Sequence, residues 1–284
     1  MKNFFAVSIS LILMLSAVGC GKSQNADKQN LNNQDLTYSN LAGDASRSEV
    51  TDILESNGLN KQAIETVMTW ADDFNSNSQG YEFKEGFQPL PETGMDYSSL
   101  MLDDASEAYS YLQWLNCRLT AFSLLKDQIK TAKTGFDTDP WLMFDIEAID
   151  TVQELHLNED ERANFITLFN QISVEGTSTL EEHEKKIKEA WEERKIEILT
   201  DTISLICIYL HSPEDNVRFV GHAGVLSETD NGLLFIEKYS SLDPFQATYF
   251  QDKESLKQYL LSRSDLYGDT TELDPIITEN GDII

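Results

Sequence analysis

The sequence predicts an α+β fold: an N-terminal helical region followed by a small antiparallel sheet. Three observations carry that expectation. Ile64, Val67, Met68, Ala71 and Phe74 fall on one helical face, and similar stripes recur through the first two thirds of the chain. The pattern then changes at Ile203–Leu210, an isoleucine-rich run apolar on both faces that reads as a buried strand. Finally, Asp230-Asn231-Gly232 separates two apolar runs, Val217–Leu226 and Leu233–Tyr239, which is a strong hairpin signal. Helices first and strands afterwards imply segregated elements around a common core. The 284 residues are 40% hydrophobic, enough for one.

The chain opens like an export leader. Lys2 supplies a short positive region, and Phe4–Val18 is apolar apart from Ser8, Ser10 and Ser16. That stretch is too short to span a bilayer and suits a signal peptide. It ends in Leu15-Ser16-Ala17-Val18-Gly19-Cys20, which resembles a bacterial lipobox with Ala17 where Leu is commonest. The resemblance implies a signal peptide over 1–19, cleavage before Cys20, and lipidation of its thiol. An ordinary secretory signal with an incidental cysteine is the alternative. The Asn/Gln/Lys-rich segment up to Asp35 is nearly devoid of large apolar residues and reads as a disordered tether, with a reach on the order of 50 Å when extended. One globular domain is expected over 36–284. The expected location is the outer face of the bacterial cell membrane, held there by the lipid on Cys20.

The elements follow in order. Ser46-Arg47-Ser48-Glu49 has the form of a capping box opening a helix that ends before Gly58. A second helix is expected over about 60–75, and a loop over 76–94, where Gly80, Gly86, Pro89 and Pro91 break regular structure. Residues 97–114 read as helical. Asn116 is placed to cap a helix beginning at Cys117, with Leu119, Phe122, Leu125 and Ile129 as its buried stripe. Thr134–Asp139 is turn-rich. Asn158-Glu159-Asp160-Glu161 again resembles a capping box, ahead of Phe165, Leu168, Phe169 and Ile172. Thr179–Ile198 reads as a long charged helix. Leu256, Tyr259, Leu260 and Arg263 mark a last helix, and the acidic tail after Asp265 shows no pattern.

The formal charge of −28 weighs against nucleic acid as a partner, because the chain repels phosphate backbones. It equally weighs against a basic patch as the membrane device. Beyond Cys20 the cysteines are Cys117 and Cys207. They could form one disulfide in an oxidising exterior, although Cys207 within Ile203–Leu210 is more simply a small buried hydrophobe.

Chemistry is expected from Cys117 and His222. A thiolate is the nucleophile, and a helix N-terminus lowers a thiol's pKa. A neighbouring histidine serves first as ion-pair partner and then as general acid. Small neighbours at Gly221, Ala223 and Gly224 leave room beside the imidazole. If the hairpin turns at Asn231-Gly232, His222 and Glu237 share a sheet face, and Glu237 would orient the ring. A one-residue slip would instead present Lys238, which has the wrong charge. The Cys117 amide, with the side chain of Asn116 or Gln113, is a candidate oxyanion hole. Arg118 could bind a substrate carboxylate. Against these roles stand plainer ones: a core cysteine, a structural histidine and a capping asparagine. His183-Glu184 begins like a zinc-protease helix, but Ile187 stands where the second histidine is required. His156 and His211 are isolated in sequence. No metal or cofactor is expected.

Several stretches together resemble the bacterial lipoprotein family catalogued as domain of unknown function 4300. They are Leu36-Thr37-Tyr38-Ser39-Asn40-Leu41, Asn116 to Phe122, Ile166-Thr167-Leu168-Phe169, Phe219 to Leu226, Leu233 to Lys238, Pro244-Phe245-Gln246-Ala247, and the C-terminal Glu279-Asn280-Gly281-Asp282. The resemblance implies an exported, lipid-anchored protein and assigns no reaction. The order Cys117, His222, Glu237 is also similar to papain-like and NlpC-type cysteine hydrolases. It departs from papain-like enzymes in its third group and in the offset of Gln113. It departs from NlpC-type enzymes in having Asn116 before the cysteine. That similarity implies a cysteine hydrolase acting on an amide, and cell-wall peptide is the preferred substrate, as the abundant amide polymer within the tether's reach, with protein beside it. The alternative is a non-catalytic ligand-binding lipoprotein of the same fold.

Overall fold

The computed structural model describes residues 36–267 and 271–284. The leader, the tether and Cys20 lie outside the described residues. β1 (Thr37–Ser39) leads into α1 (Asp44–Ser56) and α2 (Lys61–Ser76). Asn60 caps α2 by accepting from the Gln62 and Ala63 amides. The capping box expected at Ser46 does not form. α1 already begins at Asp44 behind Gly43, and Ser46 turns its hydroxyl back onto the Ala42 carbonyl.

Between α2 and Trp114 lie β2 (Ser78–Gln79), β3 (Gln88–Pro89), β4 (Met101–Leu102) and a single turn, α3 (Tyr109–Leu112). The helix expected over 97–114 is thus reduced to α3. Asp96, Asp103 and Ser106 bind the amides of Ser98, Ala105 and Tyr109, and these local bonds offer the backbone turns in place of a helix.

α4 (Cys117–Leu125) follows, capped by Asn116 as expected. β5 (Ile129–Lys130), α5 (Met143–Thr151), α6 (Glu159–Phe169), β6 (Ile172–Ser173), α7 (Leu180–Glu193) and β7 (Glu197–Ile198) complete the helical part. Capping boxes open α6, through Asn158 and Glu161, and α7, through Thr179 and Glu182. α7 ends before Ile198. Lys195 takes a left-handed backbone (φ 48°), and Ile198 pairs with Ile129 instead.

The rest is mostly sheet: β8 (Ile203–Ser212), β9 (Val217–Thr229), β10 (Gly232–Lys238), β11 (Phe245–Phe250), α8 (Lys253–Ser262), β12 (Ile276–Glu279) and β13 (Asp282–Ile283). Nine strands form one antiparallel sheet in the order β13-β12-β8-β9-β10-β11-β1-β3, with β6 added beside β9. The expected α+β class holds, and the sheet, expected to be small with at least three strands, has nine. One face packs on the helices through Leu205, Tyr209, Ala223, Val225 and Ile236, against residues such as Phe122, Phe165 and Trp191. The opposite face is covered by α8 through Leu256, Tyr259 and Leu260, packed on Ile206, Ile208, Leu226 and Phe235.

Two irregularities in β9 position the site. β8 covers one edge of β9 along nearly its whole length. The other edge is shared by β10, opposite 224–229, and β6, opposite 217–218. Residues 219–223 therefore have no strand partner on that edge. The second irregularity is a bulge, because Ile208 pairs with His222 and Tyr209 with Val220, so Gly221 is skipped. Val220 faces the helices. Alternation from Ala223 and Val225 puts His222 on the α8 face, and the bulged Gly221 keeps Val220 on the helix face, where an unbroken strand would turn it away.

Candidate functional site

The N-terminus of α4 fills the gap in the edge of β9. Arg118 Nη1 donates to the Val220 carbonyl at 2.8 Å, and Cys117 Sγ lies 3.9 Å from the Gly221 carbonyl oxygen. The Ala223 amide points at the same sulfur. From this edge position the thiol comes within hydrogen-bonding reach of the His222 ring. The hairpin register pairs Glu237 with Gly224, which puts Glu237 on the same face as His222. His222 Nε2 is 2.6 Å from Glu237 Oε2, which leaves Nδ1 for the thiol. The structure thus brings together Cys117, His222 and Glu237. Lys238, the residue of the slipped register, is buried on the opposite face with its ammonium 4.1 Å from the centre of the Phe74 ring.

The electrostatics follow from this packing. Burial opposes ionisation of the Cys117 thiol. The His222 charge and hydrogen bond, Arg118 and the Ala223 amide outweigh it and hold the pKa below the ordinary thiol value. Burial likewise favours the neutral imidazole, and the charge of Arg263 adds to that. The Cys117 thiolate and the hydrogen bonds to Cys117 and Glu237 prevail and raise the His222 pKa to about 9. Burial pushes the Glu237 carboxyl up, and Arg263 and His222 more than reverse this. These directions favour a thiolate–imidazolium pair at neutral pH.

Cys207 differs in every respect. It is fully buried in β8, and burial pushes its thiol far up. Both thiols are free, so the disulfide left open by the sequence is not formed.

The other expected site residues fall differently. Asn116 caps α4 by accepting from the Leu119 amide, and one N–H of its side-chain amide donates to Asp145 at 2.9 Å, which leaves the other as a candidate oxyanion donor. Arg118 binds a carboxylate with both Nε and Nη2, at 3.1 and 2.5 Å, but the carboxylate is that of Asp145. Its expected role toward a substrate carboxylate gives way to bracing the thiol's helix against α5. Gln113 is exposed at the end of α3 and remains the other candidate oxyanion donor. The room expected beside the imidazole is occupied. A Cβ at Gly221 would lie 2.3 Å from Leu210, and one at Gly224 would lie 2.3 Å from the Phe235 ring. Cys117 is only 8% exposed and His222 2%.

Sequence reasoning missed Asp145, Tyr259 as a hydrogen-bonding group, and Arg263 as a charge. Arg263 carried one signal, since it is a cation at an apolar position of the α8 stripe. Arg263 Nη1 donates to Glu237 Oε2 at 2.5 Å, and the Tyr259 hydroxyl donates to Oε1 at 3.2 Å. A polar chain continues from Tyr259 through Gln246 and Tyr97 to Asn40.

A family model described as "Domain of unknown function (DUF4300)" matches residues 37–284. No curated protein and no solved structure matches the chain.

Proposed function

The chain belongs to the family described as Domain of unknown function (DUF4300), and from that premise we propose a cysteine hydrolase, lipid-anchored outside the cell membrane, that cleaves amide bonds of cell-wall peptide or protein. Its nucleophile and base would be arranged as in papain-like and NlpC-type enzymes. One observation carries the reading. A thiol at a helix N-terminus is coupled by charge and hydrogen bonding to a histidine whose Nε2 is 2.6 Å from a buried carboxylate. The anchor rests on the lipobox-like residues ending in Cys20.

In this mechanism the Cys117 thiolate attacks the amide carbonyl carbon and forms a C–S bond. The oxyanion would be met by the Cys117 amide and the side chain of Asn116 or Gln113. As the C–N bond breaks, the His222 imidazolium gives its proton to the departing amine. Water then attacks the thioester, and neutral His222 takes a proton from it. The C–S bond breaks, the carboxylic product leaves, and the thiolate–imidazolium pair is restored. Glu237 keeps the imidazole oriented throughout.

The near closure of the site around Cys117 favours a second reading, a lipoprotein that keeps the arrangement but captures a ligand without turning it over. Alkylation of Cys117 against pH separates the two, with His222→Ala as control. Rapid labelling at pH 6 that collapses in His222→Ala supports the hydrolase. Labelling that rises only near the free-thiol pKa of about 8.5, indifferent to His222, would overturn it. Release of Cys20→Ser from the membrane fraction tests the anchor.

A further inference from the structure

Resting on the reading of Cys117 and His222 as nucleophile and base, we infer that Arg263 is a positioning residue. Through the one Glu237 oxygen that it shares with His222, it fixes the imidazole's orientation in both protonation states and biases the ring toward giving up its proton.

The geometry carries this. His222 Nε2 and Arg263 Nη1 meet the same atom, Glu237 Oε2, at 2.6 and 2.5 Å. All three side chains are almost fully buried. A buried carboxylate facing only a histidine would take up a proton whenever the ring became neutral, because an isolated buried charge is costly. The permanent guanidinium charge keeps Glu237 ionised through that half of the cycle. The imidazole therefore always finds an acceptor at Nε2, and Nδ1 stays aimed at the thiol.

The same charge also acts on the ring. An imidazolium held between a thiolate and a carboxylate is a poor acid, and a second cation on the shared oxygen opposes that stabilisation. The titratable or charged groups facing His222 are Cys117 from α4, Glu237 from β10 and Arg263 after α8. Tyr259 lies behind Glu237. Among these, Arg263 is the one that pushes against the imidazolium through its charge.

Arg263 is also held still, as a positioning group must be. Its Nε and Nη2 donate to Asp265 at 3.2 and 2.6 Å, and Nη2 also donates to the Tyr239 carbonyl at 2.9 Å. The guanidinium lies 3.7 Å from the centre of the Tyr239 ring. Asp265 is half exposed, so this brace can be changed without opening the core.

The test is the NMR titration of the His222 ring in the full chain, beside the pH profile of Cys117 alkylation by iodoacetamide. Arg263→Met should move the His222 midpoint up by about one pH unit, and Arg263→Lys should restore part of it. Asp265→Asn leaves the guanidinium less neutralised and should move the midpoint down. A folded Arg263→Met whose midpoint is unchanged overturns the inference, as does an Asp265→Asn midpoint that stays put should Arg263→Met fail to fold. Wild-type Cys117 that labels no faster than a free thiol at pH 6 sinks the nucleophile reading instead. The histidine titration still reports on Arg263 in that case, so the two failures are distinct.

Discussion

His222 pairs with Ile208 beside a bulge that skips Gly221, so the ring keeps the face of Glu237 set by the hairpin register while Val220 stays on the helix face. A regular strand counted back from the hairpin would leave the ring where it is and turn Val220 away from the helical core. The bulge depends on glycine, because a Cβ there would meet Leu210 Cδ1 at 2.3 Å and Cγ at 2.5 Å.

Gly221→Ala should therefore cost about 1–3 kcal/mol through overpacking, read as a lower urea midpoint. A shift of the bulge to relieve the clash would move the Val220 and Gly221 carbonyls against Arg118 and Cys117, so the variant should also lose any enhanced Cys117 labelling at pH 6. An alanine variant with wild-type stability and wild-type labelling would show that the bulge does not position the strand edge against Cys117.

The relation between His222 and Glu237 was legible in the sequence because the Asn231-Gly232 turn sets the hairpin register, and alternation does the rest. The Asn116 cap was legible for a similar, local reason. The approach of Cys117 to His222 was only a guess from residue type, since no periodicity links positions a hundred residues apart. The bulge left no trace beyond a glycine among other small residues, and those residues suggested empty space where Leu210 and Phe235 sit. The C-terminal tail looked unpatterned because β12 has only four residues, and pairing with β8 decides its fate. Arg118 was misread because its partner, Asp145, begins a helix that the sequence did not announce.

The Arg118–Asp145 pair ties the thiol's helix to α5. Asp145 is fully buried, and Arg118 is mostly so. Asp145→Ala strands a guanidinium and the Asn116 amide, and should cost about 3–5 kcal/mol. Replacing both partners together, Arg118→Met with Asp145→Leu, should recover most of that loss, because neither charge is left alone. Urea denaturation of the two variants checks this. A single variant that loses under about 1 kcal/mol would show that the pair is dispensable.

A last prediction concerns acid stability and a cluster away from the site. His183 and His211, far apart in sequence, meet at 4.9 Å between ring centres. Arg218, fully buried, donates through Nε to His183 Nδ1 at 3.0 Å, and the Leu273 amide donates to His211 Nδ1 at 3.1 Å. Both rings thus accept at Nδ1, and protonation there would break each bond and place new charge beside Arg218. Burial, then the charges of Arg218 and His211, bring the His183 pKa down to about 4, while Glu182 acts weakly the other way. Glu184, Glu272 and Asp274 face Arg218. Above the unfolded value of about 6.5 neither state takes the proton, and this contribution to stability is fully present. As pH falls from there the unfolded chain binds a proton that the fold refuses, so stability is lost until the folded group titrates near 4. The wild-type melting temperature should accordingly fall between pH 7 and 5. His183→Gln keeps an acceptor for Arg218 but cannot titrate, so its melting temperature should fall less. Equal declines in the two proteins would exclude His183 as a source of acid sensitivity.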